Sequence, residues 1–159
     1  MKKVFVINNE NKDVCSPCGG HCCKWSPGDY TPDQLGLDLL NAKAKLTELL
    51  KQGKHIFVRH YSETLKTYWT MRPKTSLSNC RSGFEYDGLG RCIHLTDSGC
   101  EKEFDARPLE CQKLIASKEK CHYPKEWDYQ QDIAQKWVKY QIAINKIQDE
   151  FWDSIPTSS

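Results

Sequence analysis

The chain has 159 residues, 38% of them hydrophobic, with 23 Lys and Arg against 21 Asp and Glu and a net charge of +2. That length suits one ordinary domain able to bury a core, and so even a balance singles out no charged partner. Nine cysteines come to about 6% of the chain, below the density of a short disulfide scaffold.

Met1-Lys2-Lys3 opens the sequence, but the apolar run Val4-Phe5-Val6-Ile7 ends at Asn8, short of the roughly 7–15 apolar residues of a signal peptide. That run suits a short strand. A polar turn leads to Cys15-Ser-Pro-Cys18-Gly-Gly-His21-Cys22-Cys23, where Pro and paired Gly place the cysteines on loop backbone. Thr31-Pro32-Asp33-Gln34 then announces a helix: Thr31 caps it, Pro32 suits its first position and Gln34 completes a capping box. Leu35, Leu39, Ala42, Leu46 and Leu49 follow at spacings of 4, 3, 4 and 3, giving one apolar face, and Gly53 supplies the stop.

Ile56 to Tyr61 and Leu65 to Met71 flank Ser62-Glu63-Thr64, which predicts a hairpin ended by Pro73. Residues 74–91 lack periodicity and read as loop. Cys92-Ile93-His94-Leu95 suits a short strand feeding the turn Asp97-Ser98-Gly99, with Cys100 next. Asp105 is placed to cap a helix that enters through Arg107-Pro108, contains Cys111 and runs to about Ser117. Ile133, Trp137, Tyr140, Ile144, Ile147 and Phe151 recur at spacings of 4, 3, 4, 3 and 4, one stripe of a helix over about 126–152 that packs on the rest of the domain. No stretch approaches the roughly 18 apolar residues of a membrane span, so the expectation is a cytoplasmic chain with no membrane partner.

The cysteines carry the chemistry. Closely spaced thiols in a reducing compartment are far more often metal ligands than disulfides, and an odd total with no leader predicts no structural disulfide. A C-x-x-C turn brings two sulfurs to one ion, and Cys22 and Cys23 extend the chelate. Thiolate selects zinc, Cu(I) or an iron–sulfur cluster over magnesium or calcium. The predicted metal ligands are Cys15, Cys18, Cys22, Cys23, Cys92, Cys100, Cys111 and Cys121, with the first group sharing a site with the second. Eight thiols allow two closed zinc sites or one cluster with surplus; the surplus tilts the reading toward iron–sulfur. His21, His94 and His122 lie near cysteines and are open as ligands or as supports; Cys80 stands apart as a free thiol. Arg107 shares a helix face with Cys111 and either offsets thiolate charge or pairs with Asp105 or Glu110.

From Lys54 to Arg81 there are six Lys or Arg and one acid, Glu63. This stretch reads as a solvated basic face balancing a thiolate site, with His55 and His60 on it. The sharper alternative is an anionic ligand or nucleic acid meeting Tyr68, Trp69, Arg72 and Lys74.

The ordered set Cys15-x-x-Cys18-x-x-x-Cys22-Cys23, Cys92-Ile-His-Leu, Gly99-Cys100, Arg107-Pro108-x-x-Cys111 and a closing Cys121 resembles the bacterial CxxCxxCC family, the YkgJ-like zinc- or iron-chelating domains. The resemblance covers about residues 15–121, with three residues between Cys18 and Cys22 where the family has two. It implies a metal- or cluster-binding module of unassigned activity. The radical-SAM order C-x-x-x-C-x-x-C is reversed here, so that chemistry is not carried over.

The expectation is therefore a small single α+β domain over 1–159, with helices, a short hairpin and cysteine-rich loops organised around an iron–sulfur cluster or zinc. A redox or protein-modification enzyme using an open cluster position, and a nucleic-acid module with structural zinc, are the alternatives. Oligomeric state stays open.

Overall fold

The computed structural model describes residues 27–78, 83–97, 99–114 and 122–154. The expected strand at Val4–Ile7, the cysteines at 15, 18, 22, 23, 80 and 121, and His21 lie outside the described residues. The rest forms a small single α+β domain.

The hairpin forms where β-branched and aromatic residues predict it. Strand β1 (His55–Ser62) pairs antiparallel with β2 (Lys66–Pro73), Ser62 facing Lys66 across the turn. A two-residue strand, β3 (Phe84–Glu85), lies parallel to β1, giving the order β2-β1-β3. The expected loop over 74–91 therefore carries a strand, which two residues cannot announce by periodicity. Packing holds it: Phe84 stacks on Phe57 at 4.9 Å and meets Trp69 edge-on at 5.2 Å. A second, minimal sheet pairs β4 (Leu95–Thr96) with β5 (Gly99–Cys100). The strand expected from Cys92 starts only at Leu95, because Cys92 itself bridges to Thr75.

The helix expected from Thr31 to Gly53 is broken. The capping box closes as predicted, Thr31 N–H donating to Gln34 Oε1 at 3.0 Å and Gln34 N–H to Thr31 Oγ1 at 3.2 Å. It starts only a 3-10 turn, Asp33–Leu35, since Gly36 takes φ 70° and stops it. Asp38 then accepts the N–H groups of Leu40 and Asn41 before α1 (Ala42–Lys51) begins. Leu39, assigned to the apolar face, lies on this turn 66% exposed, while Leu35, Ala42, Leu46 and Leu49 are buried.

Asp105 also caps no long helix. It lies inside a 3-10 turn, Phe104–Ala106, and α2 is the short Leu109–Lys113, with Pro108 before it and Leu114 already extended. The C-terminal helical stretch begins later than 126, as a π-type turn at Gln130–Ala134. It continues through α3 (Gln135–Trp137) and a 3-10 turn at Val138–Tyr140 into α4 (Gln141–Ser154). Its expected stripe holds as far as Ile147: Ile133, Trp137, Tyr140, Ile144 and Ile147 are buried in a core with Leu46, Phe57 and Met71, while Phe151 is half-buried. Each such side chain contributes about 1.5–3 kcal/mol on burial.

This stretch also fixes the segment that carries the site. Trp137 Nε1 donates to the Tyr30 carbonyl at 2.8 Å and the Tyr140 hydroxyl to the Leu37 carbonyl at 3.2 Å. The Tyr30 N–H reaches the Met71 carbonyl at 2.9 Å, joining the segment to β2. Further along β2, the Gln141 side-chain amide accepts from Trp69 N–H at 2.8 Å and donates to the Trp69 carbonyl at 2.9 Å. Among the described residues no helix is long and apolar enough to cross a membrane.

Candidate functional site

Three of the expected ligands are described, and all three are free thiols: Cys92 in the bridge to Thr75, Cys100 at the end of β5, and Cys111 in α2. They come from separate segments, yet each lies within electrostatic reach of the others. Burial, helped by Cys100, pushes the Cys92 thiol up to about 11. Burial raises Cys111 further, with Glu110, Cys92 and Cys100 adding to it. The Tyr30 phenol, raised first by burial, feels Cys111, Cys92 and Cys100 in turn. Tyr30 thus lies within electrostatic reach of all three sulfurs.

Two sulfurs already have backbone donors. The His94 N–H bonds the Cys92 sulfur and the Gly28 N–H bonds the Cys111 sulfur, each favouring the thiolate. Gly28 is glycine for want of room. A Cβ there would stand 2.8 Å from Glu110 Cβ and 3.0 Å from both the Cys111 nitrogen and sulfur. Without a cation these buried thiols stay protonated at neutral pH; a bound soft metal would take the place of their protons. Among the described residues no three His, Cys, Asp or Glu side chains stand close enough to hold an ion between them.

The histidines divide. His94, which lies between Cys92 and Cys100 in the sequence, is buried, its Nδ1 at 2.8 Å from Glu101 Oε1, the arrangement by which a carboxylate orients an imidazole. His122 is exposed. His55, read from the sequence as a structural or basic-face residue, has a buried Nδ1 with no hydrogen-bond partner among the described residues, and its charge is disfavoured by burial and by the nearby Lys102 and His94.

Next to the thiols is a buried polar network that the sequence reading missed. Asp29 is fully buried. Its Oδ1 accepts from Arg72 Nε at 2.6 Å, and its Oδ2 from the Thr70 hydroxyl at 2.9 Å and the Tyr129 hydroxyl at 2.5 Å. His60 Nε2 lies 2.8 Å from Thr70 Oγ1 and 3.2 Å from Asp29 Oδ2, with its ring stacked on Tyr68 at 5.1 Å. Burial works against the Asp29 charge, but the Arg72 guanidinium and then His60 outweigh it and hold the carboxyl well below the usual range. Glu110 Oε1 accepts the Asp29 N–H at 2.7 Å; burial, then the Asp29 charge, raise the Glu110 carboxyl to about 7.

No protein-family model, curated protein or solved structure matches this chain.

These placements change the surface reading. Arg72, Tyr68 and Trp69 are buried, so they are not surface contacts for nucleic acid; Lys54, Arg59 and Lys66 remain exposed. Arg59 lies 4.3 Å from the exposed Tyr86 ring. Arg107, expected to offset thiolate charge or to pair with an acid, meets a backbone carbonyl and an aromatic ring. Its Nε donates to the Lys102 carbonyl at 3.0 Å, and its guanidinium lies over Phe104. The alternation Tyr68, Thr70, Arg72 on one face of β2 was the available signal for the network. Nothing local to Gly28-Asp29-Tyr30 announced the carboxylate at its centre.

Proposed function

We propose that this chain is a cytoplasmic metal-binding domain of the YkgJ-like CxxCxxCC kind, its cysteines holding an iron–sulfur cluster or zinc. What supports this reading is the clustered cysteine pattern of the sequence, together with the electrostatic reach of Cys92, Cys100 and Cys111, from three separate segments, on one another and on Tyr30. A soft, multi-sulfur donor set with preplaced donors is what zinc or iron–sulfur ligation requires. The cysteines at 15, 18, 22 and 23 supply the remaining ligands. Support comes from connectivity: Gly28, against the Cys111 sulfur, is five residues after Cys23 in the sequence, and such a span reaches at most about 18 Å. Joining the two groups closes a long loop, so ligation contributes directly to folding.

The thiol surplus favours an iron–sulfur cluster over a single zinc, and an incomplete cysteine set would leave an iron open to a substrate. The test is elemental analysis of protein purified without oxygen. Iron with acid-labile sulfide, or stoichiometric zinc, supports the reading and separates its two forms. Protein that carries no metal and takes up none on reconstitution overturns it.

A further inference from the structure

We propose that His60 is a phosphoryl-acceptor histidine, its imidazole set by Thr70 and Asp29 to present Nδ1 as the nucleophile toward an activated phosphoryl group. The inference is independent of any metal and starts from where the hydrogens go. His60 Nε2 lies 2.8 Å from Thr70 Oγ1 and 3.2 Å from Asp29 Oδ2. Thr70 has one hydroxyl hydrogen, which it donates to Asp29 Oδ2 at 2.9 Å. Its oxygen is left only to accept from the imidazole, and an ionised carboxylate likewise only accepts. Nε2 therefore carries a proton. In the neutral ring the lone pair is on Nδ1.

That nitrogen is open. The His60 side chain is 21% exposed, and its Nδ1 makes no hydrogen bond among the described residues. Nor is it sealed in, for the buried side-chain nitrogens without a partner there are His55 Nδ1 and Trp127 Nε1. The ring is kept from trading its nitrogens by stacking on Tyr68 at 5.1 Å and by packing against Tyr129 at 6.1 Å. Behind it, Arg72 and Tyr129 fix the Asp29 carboxylate. The π-type turn Gln130–Ala134 follows directly on Tyr129, and irregular turns of this kind are frequent at functional sites.

The surroundings suit a phosphoryl group. His60 faces Tyr68 across the hairpin, and two residues on, Ser62 faces Lys66 on the same side of the sheet. Lys66 is exposed, and its diagonal place puts a long cationic side chain within reach of His60. The donor is an acyl phosphate or a phosphoramidate. The Nδ1 lone pair forms an N–P bond as the donor's P–O or P–N bond breaks, and the leaving group departs with that electron pair. The ring becomes cationic, with its Nε2 proton still held by Thr70 and Asp29. The buried carboxylate then offsets the new charge.

The experiment treats the full chain with phosphoramidate and locates the label by peptide mass spectrometry. Phosphorus NMR separates the Nδ1 and Nε2 isomers of phosphohistidine. The expected result is label concentrated on His60 as the Nδ1 isomer, lost in His60→Gln, with exposed His122 labelled more slowly. Thr70→Val removes one acceptor of the Nε2 proton and should erode the Nδ1 preference at His60. Lys66→Ala should slow labelling and keep the isomer. Label on His60 Nε2, or His60 labelled no faster than His122, overturns the proposal in the parent protein alone, whether or not Thr70→Val folds. A folded Thr70→Val with the parent's isomer ratio removes the positioning role, and undiminished labelling of Lys66→Ala removes the phosphoryl assignment.

Discussion

Replacing Arg72 with methionine leaves the Asp29 carboxylate buried beside Thr70 and Tyr129 without its guanidinium, and with His60, 3.2 Å from Oδ2, as the lesser remaining offset. Methionine keeps most of the buried volume, so the change isolates the charge. Breaking a buried pair from one side costs about 3–5 kcal/mol, because the remaining ion has no compensation. At about 2–4 °C per kcal/mol for a chain of this size, the melting temperature should fall by about 6–20 °C. Asp29→Asn alone strands the cation and should cost a similar amount. The pair of changes together should cost clearly less than their sum, since neither charge is then left alone. Urea and thermal unfolding of the four proteins measure the coupling. The acid limb adds a check. Asp29 is held below its unfolded value of about 3.9, so its stabilisation is present above that pH and is lost as pH falls toward the folded value. Parent protein should weaken below about pH 4, and Arg72→Met less steeply. An Arg72→Met protein within about 0.5 kcal/mol of the parent, or a double variant equal to the sum of the singles, refutes the reasoning.

Gly36→Ala should destabilise by about 1 kcal/mol in denaturant unfolding, because φ 70° is strained for alanine; a stabilised variant would mean that the helix runs unbroken through this position. Glu110, raised from 4.5 to about 7, keeps a proton in the folded state that the unfolded state has lost, so stability should decline as pH rises between those values. Glu110→Gln should flatten that decline, and a parent profile already flat there contradicts the assignment. Cys18→Ser and Cys111→Ser should each lower metal content and melting temperature, as should a chelator on the parent. Both variants matching the parent would separate the two cysteine groups.

The hairpin and the C-terminal stripe were legible because each repeats a local period over many residues. The capping box at Thr31 and Gln34 was also legible, and it forms, but its helix ends after one turn. The spacing of Leu35, Leu39 and Ala42 cannot register a left-handed Gly36 or an Asp38 side chain competing for the same N–H groups. Phe84 joins the sheet by stacking on Phe57, a tertiary contact with no periodic trace. Chemistry of side-chain type alone misassigned Arg72. A guanidinium on a strand reads as surface until its buried carboxylate is known, and Asp29 is 43 residues away.

The Gln141 amide has a consequence for how this protein meets copies of itself. Seen from outside the sheet, β2 would present a row of main-chain donors and acceptors, the template on which foreign strands add. Trp69 offers neither, since one side-chain amide occupies both its N–H and its carbonyl. The Met71 carbonyl is taken by Tyr30, and Pro73 has no N–H to give. At the opposite margin β3 is only two residues long. A single glutamine standing in for a strand thus blunts the outer edge of β2 at Trp69, a form of protection against cross-strand aggregation that requires no extra chain length.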